Sequence, residues 1–220
     1  VRGGEGGVRD TSAYAFGGVR KPSVTETLQL SGWVDFSGIA PEVLLNAADR
    51  GTWTHGATAL VDEGDFDWEQ VPCDRWGKPQ PSWISYVRAY ERFRSEHDLS
   101  ITLREAVVKN EALQIVGALD IDCVMDGAPS VIEIKTPAEV KPSWPLQLAA
   151  YALCLDGPRR KYALRLRRDG TYRLDEFRDP NARSLFLAAH TTVLAQIAAG
   201  VIDFAAWLRA KKEGRDSRWN

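Results

Sequence analysis

Apolar positions recur along this chain in two rhythms, and the switch between them lays out the fold. From Pro41 to about Gly64, Leu44, Ala48, Gly51, His55 and Ala59 return at spacings of three and four, the period of a helix with one inward stripe. Trp83, Val87, Tyr90 and Phe93 give a second helix the same stripe, from Ser82 as its cap to about His97. Ser23 and Glu26 form a capping-box pattern for a short helix ending near Gly32. A further apolar helix, WPLQLAAYALCL, is introduced by Pro142 and Ser143 and closes at Asp156-Gly157, and Pro180 to Lys212 is helical with a break near Gly200.

Period two governs the middle of the chain. Ser100 to Lys109 alternates as a strand. Ile115 to Thr136, IVGALDIDCVMDGAPSVIEIKT, reads as two antiparallel strands around Asp126-Gly127, a dipeptide that enters positive φ easily and suits a tight type I′ turn. Arg160 to Arg168 and a strand through Tyr172 and Leu174 form another hairpin around Asp169-Gly170. This order predicts an α/β fold, a central mixed β-sheet flanked by helices, with the first hairpin at its middle and residues 21–220 as one domain. Residues 1–20 are rich in Gly without sustained periodicity and are expected to be a flexible leader. Residues 65–80 read as an irregular surface loop, and a polar tail is expected beyond Glu213.

Charge disturbs this picture in the first hairpin. Asp120 and Asp122 share one face of their strand, with Leu119, Ile121 and Cys123 opposite, while Glu133 and Lys135 share a face of the next. A two-residue turn at Asp126-Gly127 puts Asp120 across from Glu133, although Pro129 could shift that register. Carboxylates this close repel one another, and burial disfavours them further. A hard divalent cation would answer both costs; the alternative is a solvated sheet face on which Lys135 pairs with an acid.

Other residues fit either a site or a plain structural role. His55, on the inward stripe of its helix, is a hydrogen-bonded core residue or a ligand. Glu105 alternates with Ile101, Leu103 and Val107, so it pairs with a buried cation or lines the same site as Asp120. Gln147 and Tyr151, four apart on a helix, can reach one spot or bond within the core. Lys161, Arg165 and Arg167 share a strand face that could contact phosphates or face solvent, and Arg50 could grip a phosphate.

The 220 residues carry a net charge of −2, which does not advertise a nucleic-acid binder, though a local basic strip can be cancelled in the sum. Three cysteines stand far apart with no CxxC pair, so neither zinc nor a four-cysteine iron-sulfur cluster is expected. No apolar run approaches a membrane span and no secretory signal is visible, so the expectation is a soluble, cytoplasmic protein.

The order RGTWTH on a helix, Glu105 on a strand, GALDID, EIK and then QLAAY on a helix resembles the PD-(D/E)XK nuclease superfamily, in particular its RecB-like and phage lambda-type exonuclease branch. The resemblance covers roughly residues 22–178 and implies a restriction-endonuclease-like core. It implies that Asp120, Glu133 and Lys135 are catalytic, with Gln147 and Tyr151 as the helix motif that follows them. His55, Asp120, Glu133 and the main-chain carbonyl of Ile134 would hold one or two Mg²⁺ or Mn²⁺ ions, and Glu105 would be an additional acid. Leu119 stands where the family name has proline. The implied activity is that of a metal-dependent DNA nuclease, an exonuclease before an endonuclease, in DNA recombination, repair or phage replication within a bacterial or phage-infected cell. DNA is the implied partner, with a single-strand annealing protein or helicase beside it. The rival expectation is an inactive DNA-binding or assembly module of the same fold.

Overall fold

A computed structural model of the chain describes residues 11–137 and 139–212. Five strands form the main sheet, in the order β3 (Leu99–Asn110), β4 (Ile115–Met125), β5 (Ala128–Lys135), β6 (Arg160–Leu166) and β7 (Tyr172–Glu176). All neighbours are antiparallel except β5 and β6, which run parallel because α4 (Ser143–Ala152) crosses between them. The expected mixed sheet flanked by helices is therefore present.

Sequence rules account for the helix ends. At α1 (Val24–Leu30) the Ser23 hydroxyl accepts from the Glu26 amide and the Glu26 carboxylate accepts from the Ser23 amide, so the capping box closes. Pro41 begins α2 (Pro41–Glu63), and Gly64, at φ 78°, ends it in the left-handed conformation. Ser82 does not cap α3 (Ile84–Glu96). The chain enters that helix through a 3-10 turn, Pro81–Trp83, and no side chain bonds its first amides. Gly200, at φ 71°, lies between α5 (Ala182–Ala198) and α6 (Phe204–Lys212).

Two cores grip the sheet from opposite sides. On one face Val24 and Leu28 of α1, Leu148 and Tyr151 of α4 and Phe186 of α5 pack with Ile115 and Val131. On the other, the expected α3 stripe of Trp83, Tyr90 and Phe93 packs on Ile121, Cys123, Ile132 and Ile134. Leu119 departs from expectation by joining the first core rather than that of Ile121. It stands one residue from Asp120, beside the place where β3 leaves regular strand geometry at Glu105.

Part of the expected leader is folded. Residues 1–10 lie outside the described residues, as does the tail from 213, but Ala15–Phe16 (β1) and Val19–Arg20 (β2) pair as a small hairpin. Tyr14 and Phe16 bury against Val116, and the Lys109 ammonium donates to the Ala15 carbonyl. Gly17 and Gly18, both at positive φ, make the turn, so these glycines mark a hairpin and not a tether. Among the described residues no helix is long and apolar enough to cross a membrane.

Candidate metal centre

The Asp126-Gly127 turn sets the geometry of the site. Both residues have positive φ (50° and 77°), and the two-residue loop pairs Met125 with Ala128 and, four steps on, Ile121 with Ile132. Pro129 sits opposite Val124 without shifting the register. One step further the ladder stops, and side chains replace it. The Asp120 carboxylate accepts from the Ile134 amide at 2.7 Å, and the Glu133 carboxylate accepts from the Asp120 amide at 3.3 Å. β5 meanwhile pairs with β6, opposing Glu133 to Ala163. Asp120 and Glu133 are thus fixed side by side and only 6% and 2% exposed.

α2 and β3 complete the group. The His55 Nδ1 stands 3.1 Å from a Glu105 oxygen and 3.2 Å from an Asp120 oxygen. Glu105 has φ 48°, a left-handed conformation that a non-glycine residue rarely holds, next to a register shift between Ile101 and Leu103. That strained backbone breaks the alternation expected of the strand and carries the carboxylate to His55. His55, Glu105 and Asp120 each offer one ligand atom within 4.8 Å of the others, so the group could hold a metal ion. Neighbouring ligands of an octahedral ion at 2.0–2.1 Å stand about 3 Å apart, close to both distances made by His55. The donor set and its spacing fit a divalent cation.

Charge within the group is tightly balanced. Burial opposes the charge on His55, but Asp120 and Glu105 outweigh it and raise its pKa to about 10. Asp120 remains ionised below the usual carboxylate range in spite of burial, because His55, Lys135 and the Ile134 amide favour its charge. Glu133 is pushed the other way, to about 7, by burial and by the charge of Asp120, with Lys135 opposing. Burial and the Glu133 charge raise the Tyr151 phenol well above its ordinary value.

The expected catalytic residues meet in one cleft of about 590 Å³ between α2 and α4. Lys135 Nζ donates to Glu133 and to the Gln147 carbonyl oxygen, both at 3.0 Å, while the Gln147 amide donates to Glu133 at 2.9 Å and to the Tyr151 hydroxyl at 3.2 Å. Glu133, expected as an ion ligand, accepts from Lys135, from Gln147 and from the Asp120 amide, while the three groups whose ligand atoms lie within 4.8 Å of one another are His55, Glu105 and Asp120. The N–H of Ile134, the residue whose carbonyl was expected to join the ion, donates to Asp120. The α2 stripe of Ala48, Gly51 and His55 lines the cleft, whereas the helix buries Thr54, Ala57 and Thr58.

The basic residues divide. Arg50 Nε donates to the Thr136 hydroxyl at 3.3 Å, one residue beyond Lys135, and its guanidinium lies 5.7 Å over the Tyr86 ring. Arg165, Lys161 and Arg167 do not form one exposed face. Arg165 is buried and bonded to Asp175, which β7, the neighbouring strand, sets beside it on the sheet. Lys161 lines a different pocket, and Arg167 is exposed beyond the end of β6.

Arg104, whose role no sequence pattern announces, ties the site to α2. Its guanidinium bonds Glu105 at 3.0 Å, the Asp120 carbonyl at 3.2 Å, the Thr58 hydroxyl at 2.6 Å and Asp62 at 3.0 Å. The only available signal is an arginine immediately before Glu105, the acid on the apolar face of the strand. Gly117 is a second residue of this kind. A Cβ there would stand 2.6 Å from Tyr151 Cε1 and 3.1 Å from Val24, so only glycine lets Tyr151 lean on β4.

No protein-family model matches this chain, and no curated protein matches it. The assignment of a function therefore rests on the chemistry of the cleft.

Proposed function

We propose that the protein is a Mg²⁺- or Mn²⁺-dependent deoxyribonuclease of the PD-(D/E)XK type, an exonuclease acting in DNA recombination, repair or phage replication in the cytoplasm. One observation carries this reading. His55, Glu105 and Asp120 converge within ion-binding reach of one another, in the same cleft as a lysine held by Glu133 and Gln147. The mixed sheet with Asp120 and Glu133 on adjacent strands supports the restriction-endonuclease-like core that the sequence resemblance implies.

A divalent ion bound here supplies charge neutralisation at a phosphodiester and an acidified water. The residues of the chain prepare the rest. Asp120 is oriented by the Ile134 amide, and Glu105 by Arg104, so both carboxylates are aimed before anything binds. Lys135 gives hydrogens to Glu133 and Gln147 and keeps the remaining one of its three for an attacking water or a phosphate oxygen. Arg50, at the junction of α2 with the end of β5, offers a guanidinium to a neighbouring phosphate. The carboxylates suit Mg²⁺ and Mn²⁺, and the imidazole tilts the set toward Mn²⁺; Ca²⁺, which takes six to eight oxygens, is the poorer match.

The test is digestion of end-labelled linear single- and double-stranded DNA and of circular DNA, each with Mg²⁺ or Mn²⁺. The reading expects linear DNA to be lost from its ends, leaving 5′-phosphates, with closed circles untouched. Cleavage of circles would make the enzyme an endonuclease. Ion binding without cleavage of any of these substrates would overturn the catalytic reading in favour of a DNA-binding module.

A further inference from the structure

A second concavity lies on another side of α4. Its volume is about 400 Å³, and it is lined by Ala149 and Ala152 of α4, by Pro158, and by three cations, Arg159, Lys161 and Arg183. Gln147 and Tyr151 reach from the same helix into the metal-centre cleft, and the two cavities share no lining residue. No acid lines the smaller one.

The three cations are not equivalent. Arg159 is committed, with Nε on Asp122 at 2.7 Å and a terminal nitrogen on the Asp156 carbonyl at 2.6 Å. Lys161 and Arg183 form no ion pair among the described residues. Glu176, whose carboxylate is influenced by Lys161, is itself bonded to Arg178 at 2.6 Å. Lys161 is half-buried at the start of β6, opposite Val131, so its stem is enclosed by the fold while its ammonium lacks a matched anion. Two cations without an ion-pair partner among the described residues, beside a concave, partly apolar pocket, raise the positive potential there.

We infer that this pocket binds a terminal phosphate group between Lys161 and Arg183, either free inorganic phosphate or the phosphate monoester of a mononucleotide. Near neutral pH inorganic phosphate and a phosphate monoester each carry a charge of about −1.5 to −2, which matches the two cations, whereas a diester would leave one unanswered. Arg183 supplies a planar fork for two phosphate oxygens and Lys161 a compact charge for a third. The volume lies in the range of small-molecule pockets, and the alanine and proline walls suit a base better than a sugar.

The site can be tested without metal or DNA, so its failure leaves the nuclease reading standing. Calorimetry and thermal melting of the metal-free full chain would be run with inorganic phosphate, dAMP and deoxyadenosine at up to about 10 mM, the range in which weak specific sites fill. Phosphate and dAMP should bind saturably and raise the melting temperature, and deoxyadenosine should do neither. Lys161→Ala and Arg183→Ala, separately and together, should weaken binding, the pair by about tenfold or more for two charge-assisted contacts. Arg168→Ala, an exposed cation just beyond the far end of β6, should leave it unchanged. Tighter binding of dAMP would identify a mononucleotide site and equal binding a phosphate site, both in support. Absence of saturable binding, equal binding of deoxyadenosine, or affinity that survives the double substitution would overturn the inference. Arg183 is exposed on α5, so its single variant keeps the test decisive even if Lys161→Ala fails to fold.

Discussion

Asp120 and Asp122 stand two residues apart on one strand, both buried, and only one of them belongs to a metal-capable site. Asp122 meets one guanidinium, that of Arg159, at 2.7 and 3.4 Å, and its charge is answered within the protein. Asp120 meets an imidazole shared with a second acid, a third acid across the broken ladder, and an open cleft. Burial is common to both and decides nothing. What separates them is that the acids around Asp120 converge on shared partners, so a divalent cation can replace a proton there, whereas Arg159 leaves an ion nothing to displace.

The largest effect should come from setting Asp120→Asn against Asp122→Asn. The first removes an ion ligand, and Mn²⁺ affinity measured by calorimetry should fall on the order of 10²-fold or more, with nuclease activity abolished. The second should leave Mn²⁺ binding intact and cost about 1–3 kcal/mol in urea unfolding, below the full penalty for a broken buried pair because Arg159 can turn toward water. Normal ion binding by the Asp120 variant would remove the site.

Next in size is Lys135→Ala. Its ammonium lies outside the ion-binding trio, so Mn²⁺ should still bind, while turnover falls by about 10²- to 10³-fold, as expected for loss of a donor aimed at the developing charge. An equal loss of ion affinity and turnover would move Lys135 from chemistry to scaffolding.

The sequence made one half of the comparison readable. The Asp126-Gly127 turn dictates the register, so Asp120 beside Glu133 follows from local rules, as do the capping box at Ser23 and the glycine that ends α2 at Gly64. The fate of Asp122 does not follow, because its partner Arg159 lies 37 residues away on the turn before β6. Glu105 was visible as a misplaced acid, but its role depends on a positive φ that no side-chain pattern announces. Arg165 shows the reverse: strand alternation cannot tell an exposed cation from one whose charge the neighbouring strand answers with Asp175.

A pH series tests the exchange of proton for ion. Without an ion His55 has a pKa of about 10, raised from 6.5, so its pairs with Asp120 and Glu105 stabilise the fold fully below pH 6.5 and are lost as pH rises through about 10. An ion must displace that proton. Mn²⁺ affinity should therefore rise about tenfold per pH unit between pH 7 and 9, with close to one proton released per ion in calorimetry across buffers of different ionisation enthalpy. A flat profile would mean that His55 is not a ligand.

The smallest effect, and the one that sharpens the comparison most, belongs to Gly117→Ala. The added methyl would stand 2.6 Å from a ring carbon of Tyr151, whose hydroxyl bonds Gln147, which in turn bonds Glu133 and Lys135. Either the ring or β4 must shift, at a cost of about 1–3 kcal/mol for overpacking, read in urea unfolding. Any displacement passes along Tyr151 and Gln147 to the Asp120 side of the hairpin, whereas Asp122 and Arg159 bond neither residue. Activity should fall with stability in Gly117→Ala, and Tyr151→Phe in the same background, which keeps the clash but removes the hydroxyl, should not restore it. Should Gly117→Ala unfold at the wild-type urea midpoint, the close approach of Tyr151 to β4 would not be what holds the Gln147–Glu133 contact in place.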